Sequence, residues 1–198
     1  RFVFSSSSSI YGDTDIFPTP ETAPMSPLSP YGLQKLIGEQ YCQLYSTIHN
    51  LETVCLRYFN VYGLGESKKG DQASPVSKFL KQAQLGDEIT IFEKSEKYKR
   101  DFVCVDDVCE MHFRMLGKDV SGVFNVGTGK PISFKDVAEI VAKNSYSLIK
   151  EIPMPKKLVG QYQKFTKADN SKLLDIVGDY EWKSVKEYVE ETVDVFPN

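Results

Sequence analysis

Histidine is almost missing from this 198-residue chain: His49 and His112 are the only two, and neither has a cysteine or carboxylate at metal-ligand spacing, so no metal site is expected. Cysteine is scarce too. Cys42, Cys55, Cys104 and Cys109 form no CxxC pair and lie in or beside apolar runs, which makes them buried free thiols of a reducing compartment rather than a disulfide frame. Neither sign of charge dominates, since 24 basic against 27 acidic residues leave a formal net charge of -3. That balance gives no electrostatic case for nucleic acid or an anionic membrane as partner, and a small molecule is the better expectation. No stretch approaches the roughly 20 apolar residues of a membrane helix, so a cytoplasmic location is expected. Repeats are absent, and the only low-complexity tract is the serine run Ser5 to Ser9.

What is present is enough apolar residue, 41%, to bury a core of one domain or one and a half. The chain opens on Phe2-Val3-Phe4, an apolar run that reads as a buried strand, and further sequence is expected upstream of it. A loop carrying Pro18, Pro20, Pro24, Pro27 and Pro30 follows the serines. Such a loop is neither helix nor central strand, and long irregular loops in compact bodies are usually functional. From Tyr31 to Ile48, Leu33, Leu36, Ile37, Tyr41, Leu44 and Ile48 recur at three- and four-residue spacing behind Pro30, which predicts a helix. With a strand at Thr53 to Arg57, strand, helix and strand follow in order, the pattern of a parallel βαβ unit. Downstream, helices are predicted over Val76 to Leu85, Asp106 to about Leu116, Ser133 to Lys143 and Ser184 to about Val195, the last two opened by capping boxes with Asp136 and Glu187. Strands are predicted at Thr90 to Phe92, Phe102 to Val105 and Val123 to Val126.

The first candidate for chemistry is Tyr31 with Lys35. A phenol is a poor base at its ordinary pKa of about 10, so a catalytic tyrosine needs a neighbouring cation. One helical turn separates the two residues, which puts the ammonium on the face of the phenol. The spacing alone is weak, since it recurs at Tyr146 and Lys150, where a helix is expected to give way to a strand. Ser7 supplies context: it lies at the C-terminal end of the preceding strand, where open α/β sheets bind their ligands.

Three blocks then carry a family resemblance: Phe4-Ser5-Ser6-Ser7 through Tyr11-Gly12, Ser29-Pro30-Tyr31-Gly32-Leu33-Gln34-Lys35, and Arg57-Tyr58-Phe59-Asn60-Val61-Tyr62-Gly63. They resemble the extended short-chain dehydrogenases that act on nucleotide sugars. The resemblance implies a Rossmann-like α/β fold, a nicotinamide cofactor, NADP with NAD as the alternative, and a homo-oligomer. It makes Tyr31 the acid/base, Lys35 the group that binds the nicotinamide ribose and favours the phenolate, and Ser7 the hydrogen-bond partner of the reacting oxygen, with Ser5 and Val61 at the cofactor and Asn60 at the substrate.

A narrower similarity, to the ADP-heptose 6-epimerases, rests on Lys69-Gly70 with Ala73-Ser74, on Phe92-Glu93 and Ser95-Glu96, on Lys99-Arg100-Asp101-Phe102-Val103, and on Gly160 to Thr166. It implies a second catalytic base at Lys69, a diphosphate contact at Arg100, a nucleotide end lined by Phe92, Glu93, Lys94 and Ser95, and a substrate contact at Tyr162. Asp71 and Lys78 hold two further substrate-contact positions where serine and histidine are usual. A 4-epimerase or 4,6-dehydratase of a UDP- or dTDP-sugar shares the core, although Ser8 and Ser9 stand where dehydratases carry an acidic pair. A fragment or nucleotide-sugar-binding remnant without activity is the alternative of another class, because no glycine-rich phosphate loop opens a βαβ unit here.

The expected fold is the latter half of a Rossmann-like doubly wound sheet, residues 1-62 and 101-130, with a smaller α/β substrate domain over 63-100 and 131-198. The 198 residues alone are therefore expected to bind NADP weakly by calorimetric titration; tight, stoichiometric binding would refute this division.

Overall fold

The computed structural model describes residues 1-155 and 163-193. In chain order the elements are β1 (Phe2–Ser7), α1 (Pro30–His49), β2 (Thr53–Tyr58), β3 (Asn60–Tyr62), α2 (Pro75–Gln84), β4 (Ile89–Phe92), β5 (Lys99–Arg100), β6 (Phe102–Cys104), α3 (Val105–Leu116), β7 (Gly122–Val126), β8 (Ile132–Ser133), α4 (Phe134–Ser145), β9 (Ile149–Ile152), α5 (Ser171–Val177) and α6 (Val185–Val193). Single 3₁₀ turns occupy Ser8–Tyr11, Glu66–Lys68, Gly70–Gln72 and Ser95–Lys97.

The chain divides into two compact units, one of Arg1–Phe59, Asp106–Gly129 and Lys167–Glu181, the other of Asn60–Val105, Lys130–Thr166 and Trp182–Asn198. These breaks fall at different points from the functional division drawn on the sequence. The segment after Lys167 pairs with the proline loop, Thr19 N donating to Lys167 O at 2.8 Å and Asp169 N to Thr19 O at 3.0 Å. Backbone pairing of that kind leaves no periodic trace in the side chains.

The first unit is built on a parallel sheet in the order β1-β2-β7, with α1 as the crossover from β1 to β2. The fold is the Rossmann-like α/β type that the strand-helix-strand order predicts. Thr53 to Arg57 are all buried, as a central strand covered on both faces must be. The strand at the start is not: Phe2 is 48% exposed, since β1 is an edge of the sheet and only Ser6 and Ser7 are buried. Among the thiols Cys109 is likewise exposed, on the outer face of α3.

Ser29 caps α1 by accepting from Gly32 N at 3.1 Å, and Pro30 fills the first turn where no N–H is needed. The apolar stripe that betrays this helix faces outward, with Leu33, Ile37, Tyr41, Leu44 and Ile48 all more than 40% exposed. Its inner face carries Gly32, Glu39 and Cys42 instead. Gly38 lets helix and strand approach, since a Cβ there would come within 2.2 Å of the Phe4 ring.

Under α1 lies a polar network in place of aliphatic packing. Arg57, on β2, grips Glu39 of α1 bidentately, at 2.9 and 2.7 Å, and both residues are buried. Glu39 also accepts from Ser6 Oγ on β1. The guanidinium donates further to Tyr11 Oη at 2.9 Å and Glu21 O at 3.0 Å, and the Tyr11 hydroxyl donates to Asn125 Oδ1 at 2.7 Å. Burial, only partly opposed by Arg57, pushes the Tyr11 phenol up to about 12, so it is a donor and no base.

The second unit has three short pairings, β3 with β6 and β4 with β9 in parallel, β5 with β8 antiparallel. Its core joins Tyr62, Val76, Phe79, Phe102, Phe134, Val137, Val141 and Val189. Both capping boxes form: Ser133 Oγ accepts from Asp136 N at 3.0 Å, and Ser184 Oγ from Glu187 N at 3.2 Å. Tyr146 ends α4 in a left-handed conformation while Lys150 sits on β9, so that second tyrosine-lysine pair does not share a helix face.

Removing one partner of a buried ion pair strands the other charge, at a cost of about 3–5 kcal/mol. Glu39→Ala is expected to lower stability by that amount in urea denaturation, because Arg57 keeps no anionic partner of equal geometry.

Candidate active site

In the first unit, β1 and α1 place four of the residues singled out from the sequence. Lys35 reaches back to β1 and donates to the Ser5 carbonyl at 2.8 Å, while its ammonium lies 5.6 Å from the Tyr31 ring centroid and 5.4 Å from that of Phe4. Tyr31, in the first turn of α1, is 53% exposed, so its hydroxyl is open to a ligand. Ser7 ends the strand, buried, and caps the turn that follows by accepting from Ser9 N at 3.2 Å. The hydroxyl of Ser9 is itself buried with no partner among the described residues.

Tyr58 and His112 are additions that no motif reading supplied. The Tyr58 hydroxyl is 2.9 Å from Ser5 Oγ and 2.8 Å from His112 Nε2, and His112 Nδ1 is 3.0 Å from Val108 O. Burial raises the Tyr58 phenol despite its bond to Ser5, which keeps it protonated. Only the register reveals this group: Ser7 pairs with Tyr58 across β1 and β2.

In the second unit a cavity of about 280 Å³ gathers Asn60, Val61, Lys69 and Arg100 with Glu66, Ser74 and Phe134. Asn60 is aimed by bonds from its Nδ2 to Asp101 O at 3.2 Å and Thr166 Oγ1 at 3.0 Å. Arg100 is buried, 7% exposed, with its guanidinium 5.4 Å from the Phe134 ring and donating to Lys99 O at 3.0 Å and to Gln163 O. It is no surface arginine.

A second, mainly apolar cavity of about 180 Å³ shares Pro75 and Phe134 with the first. Phe92, Ser95 and Lys78 line it, and the buried Ser95 hydroxyl has no partner among the described residues. Glu93, Lys94 and Asp71 are exposed and line neither cavity; the Asp71 carbonyl accepts from Lys78 Nζ at 2.7 Å. Tyr162 lies outside the described residues.

Glu66 is the functional neighbour that the motif reading passed over. Its carboxylate accepts from Ser74 N at 3.0 Å, from Ser74 and Ser77 Oγ at 2.5 Å each, and from Lys69 Nζ at 3.2 Å. Burial resists its ionisation, yet the serine donors and Lys69 outweigh burial and hold the carboxyl below the usual range. Its spacing from Lys69 and from the Ser74 cap was the available signal.

Residues 1–127 match the model of the NAD dependent epimerase/dehydratase family. The chain belongs to that family. Among solved structures it is similar to a UDP-glucose 4-epimerase from Thermotoga maritima (33% identity, TM-score 0.86) over 98% of this chain and 62% of that one. A UDP-N-acetylglucosamine 4-epimerase from Methanobrevibacter ruminantium M1 is 30% identical, with TM-score 0.86 and the same coverages. A UDP-glucuronic acid 4-epimerase from Bacillus cereus, solved in complex with NAD, is 28% identical with TM-score 0.81, over 98% of this chain and 60% of that one. The chain thus spans a little over three fifths of the family members it matches.

A carboxyl depressed in the fold contributes stability that is present above its unfolded pKa of about 4.3 and lost as pH falls through the folded value. Ser74→Ala, which removes a helix cap and a donor to Glu66, is expected to lower stability by about 1–3 kcal/mol at pH 7. In urea titrations at several pH values the gap from the parent should shrink below about pH 4.3; a gap independent of pH would leave the cap alone as its cause.

Proposed function

We propose that the protein is an epimerase of a nucleotide-activated sugar, and that its substrate is ADP-D-glycero-D-manno-heptose, converted to the L-glycero epimer for the heptose supply of the lipopolysaccharide core. The observation that carries this reading is the pair of adjoining cavities in the second unit. A buried arginine and a lysine line one, and mainly apolar walls with Lys78 and a serine hydroxyl that has no partner among the described residues line the other. A sugar diphosphate suits the first and a nucleobase the second, with Arg100 at the diphosphate, Asn60 at the sugar, and Phe92 and Ser95 at the base.

The nicotinamide end of a cofactor fits the first unit, where Lys35 offers an ammonium, Tyr31 an exposed hydroxyl and Ser5 a polar strand end. Bound there, NADP or NAD supplies the acceptor and later the donor of a hydride. In this reading Tyr31 moves a proton at the sugar hydroxyl oxygen, Ser7 hydrogen-bonds that oxygen, and Lys35 favours the phenolate. Val61 is the further residue that this reading assigns to the cofactor. Epimerisation removes hydride from one face of a carbon and returns it to the other, so an acid/base is needed from either side. Lys69 is the second.

A second reading, a UDP-sugar 4-epimerase that manages with Tyr31 alone, is favoured by the similarity at 33% and 30% identity to enzymes of that description. The two separate on one substitution. Lys69→Ala is expected to abolish turnover of the ADP-heptose, by on the order of 10²–10⁴-fold as removal of an acid/base does, with UDP-glucose inert in the parent. Unchanged turnover, or epimerisation of UDP-glucose, overturns the heptose reading.

A further inference from the structure

The cavity around Lys69 contains a buried charge that touches no candidate substrate group. Lys69 sits between two single 3₁₀ turns, Glu66–Lys68 and Gly70–Gln72, with its amide donating to Glu66 O at 2.9 Å and its carbonyl accepting from Gln72 N at 3.0 Å. Its side chain is half exposed, and such a lysine left to itself samples many rotamers. One contact limits them. Glu66 Oε1 lies 3.2 Å from Lys69 Nζ, and that bond occupies one of the ammonium's three donors.

Glu66 is the fixed end of this contact. Its two oxygens accept from the amide and hydroxyl of Ser74 and from the hydroxyl of Ser77, and only 7% of its surface is exposed. Ser74 is the N-cap of α2, so the carboxylate rests on the positive end of a ten-residue helix. That helix is anchored in the core by Val76, Phe79 and Leu80. The other charged groups of this region are cations or exposed: Arg100 lines the same cavity, Lys68 and Asp71 flank Lys69 in the loop, and Lys78 is tied to the Asp71 carbonyl. None of these is bonded to Lys69.

We propose that Glu66 is the positioning residue for Lys69: seated on the α2 N-terminus, it orients the ammonium into the cavity and leaves two donors free for a substrate oxygen. This rests on the two-base reading above. A group that acts through Lys69 serves one face of the reacting carbon only, whereas a merely structural carboxylate supports both faces alike.

The experiment uses Glu66→Gln, which keeps size and acceptor capacity on one oxygen while removing the charge, with Ser77→Ala as a milder second variant. Transient hydride abstraction is followed with each sugar epimer separately. The expected result is a loss on the order of 10- to 100-fold with one epimer, as misplacement of a reacting group produces, with the other epimer near the parental rate. Ser77→Ala should show a smaller loss on the same side. Equal loss with both epimers, or none with either, overturns the proposal.

Lys69→Ala measured in parallel separates the two ideas. One-sided loss in Lys69→Ala without it in Glu66→Gln sinks the role of Glu66 alone, whereas retention of both half-reactions in Lys69→Ala sinks the two-base reading. A readout free of activity completes the test. After reductive ¹³C-methylation, the two methyl groups of Lys69, assigned with Lys69→Arg, should give separate resonances that merge in Glu66→Gln. A single merged signal in the parent shows that Glu66 does not hold the ammonium.

Discussion

The bidentate pair of Arg57 and Glu39 is the constraint from which the first unit is arranged. A guanidinium buried on a central strand needs a full set of acceptors, and the unit supplies them from α1, from the 3₁₀ turn at Tyr11 and from the proline loop at Glu21. Satisfying one cation thereby ties a helix, a turn and a loop to the same strand. Glu39 stands two helical turns beyond Tyr31 and one beyond Lys35, and it accepts from Ser6, the residue before Ser7. The ion pair therefore sets the height of α1 along β1, and with it the place of the tyrosine and lysine against the serine strand end.

The second unit repeats the device with the roles exchanged. There the buried group is an anion, Glu66, its donors come from the first turn of α2, and what it holds is an exposed cation. In both units a carboxylate whose hydrogen-bonding capacity is filled connects a helix to residues singled out for chemistry. Such an arrangement is stiff, because both oxygens of each carboxylate are bonded, with three donors on Glu39 and four on Glu66, and no rotation frees one bond without straining another. Binding surfaces for sugars and phosphates gain by stiffness, since polar ligands are recognised by direction.

Much of this was readable before any coordinates. Pro30, the apolar recurrence and the paired capping residues gave five of the six helices among the described residues to within a few residues, the short α5 going unread, and the β-branched run at Thr53 gave the central strand. The motif blocks gave the family. Three things were not legible. Strands of two or three residues such as β3, β5 and β8 have no period to detect. The return of Lys167 to Glu181 to the first unit depends on main-chain bonds to Thr19. Partners such as Tyr58 and His112 are set by register, which distances along the chain do not encode, whereas Glu66 left a signal only in its three-residue spacing from Lys69. Ser5 and Lys69 were singled out by pattern, whereas the groups bonded to them, Tyr58 and Glu66, were seen only by contact.

The outward apolar stripe of α1 has a thermodynamic consequence. Residues such as Ile37, Tyr41, Leu44 and Ile48 drive the helix pattern in the sequence, but in the folded chain they already face water. Unfolding exposes only about half of the surface at these positions, so they add less to the heat capacity change and to the sensitivity to denaturant than fully buried residues of their kind. The stability curve of this chain is then somewhat flatter than its apolar content suggests, and the hold on its most recognisable helix is shared between the Arg57–Glu39 pair, which loses less on cooling than an apolar interface does, and the contacts of Leu36 and Gly38.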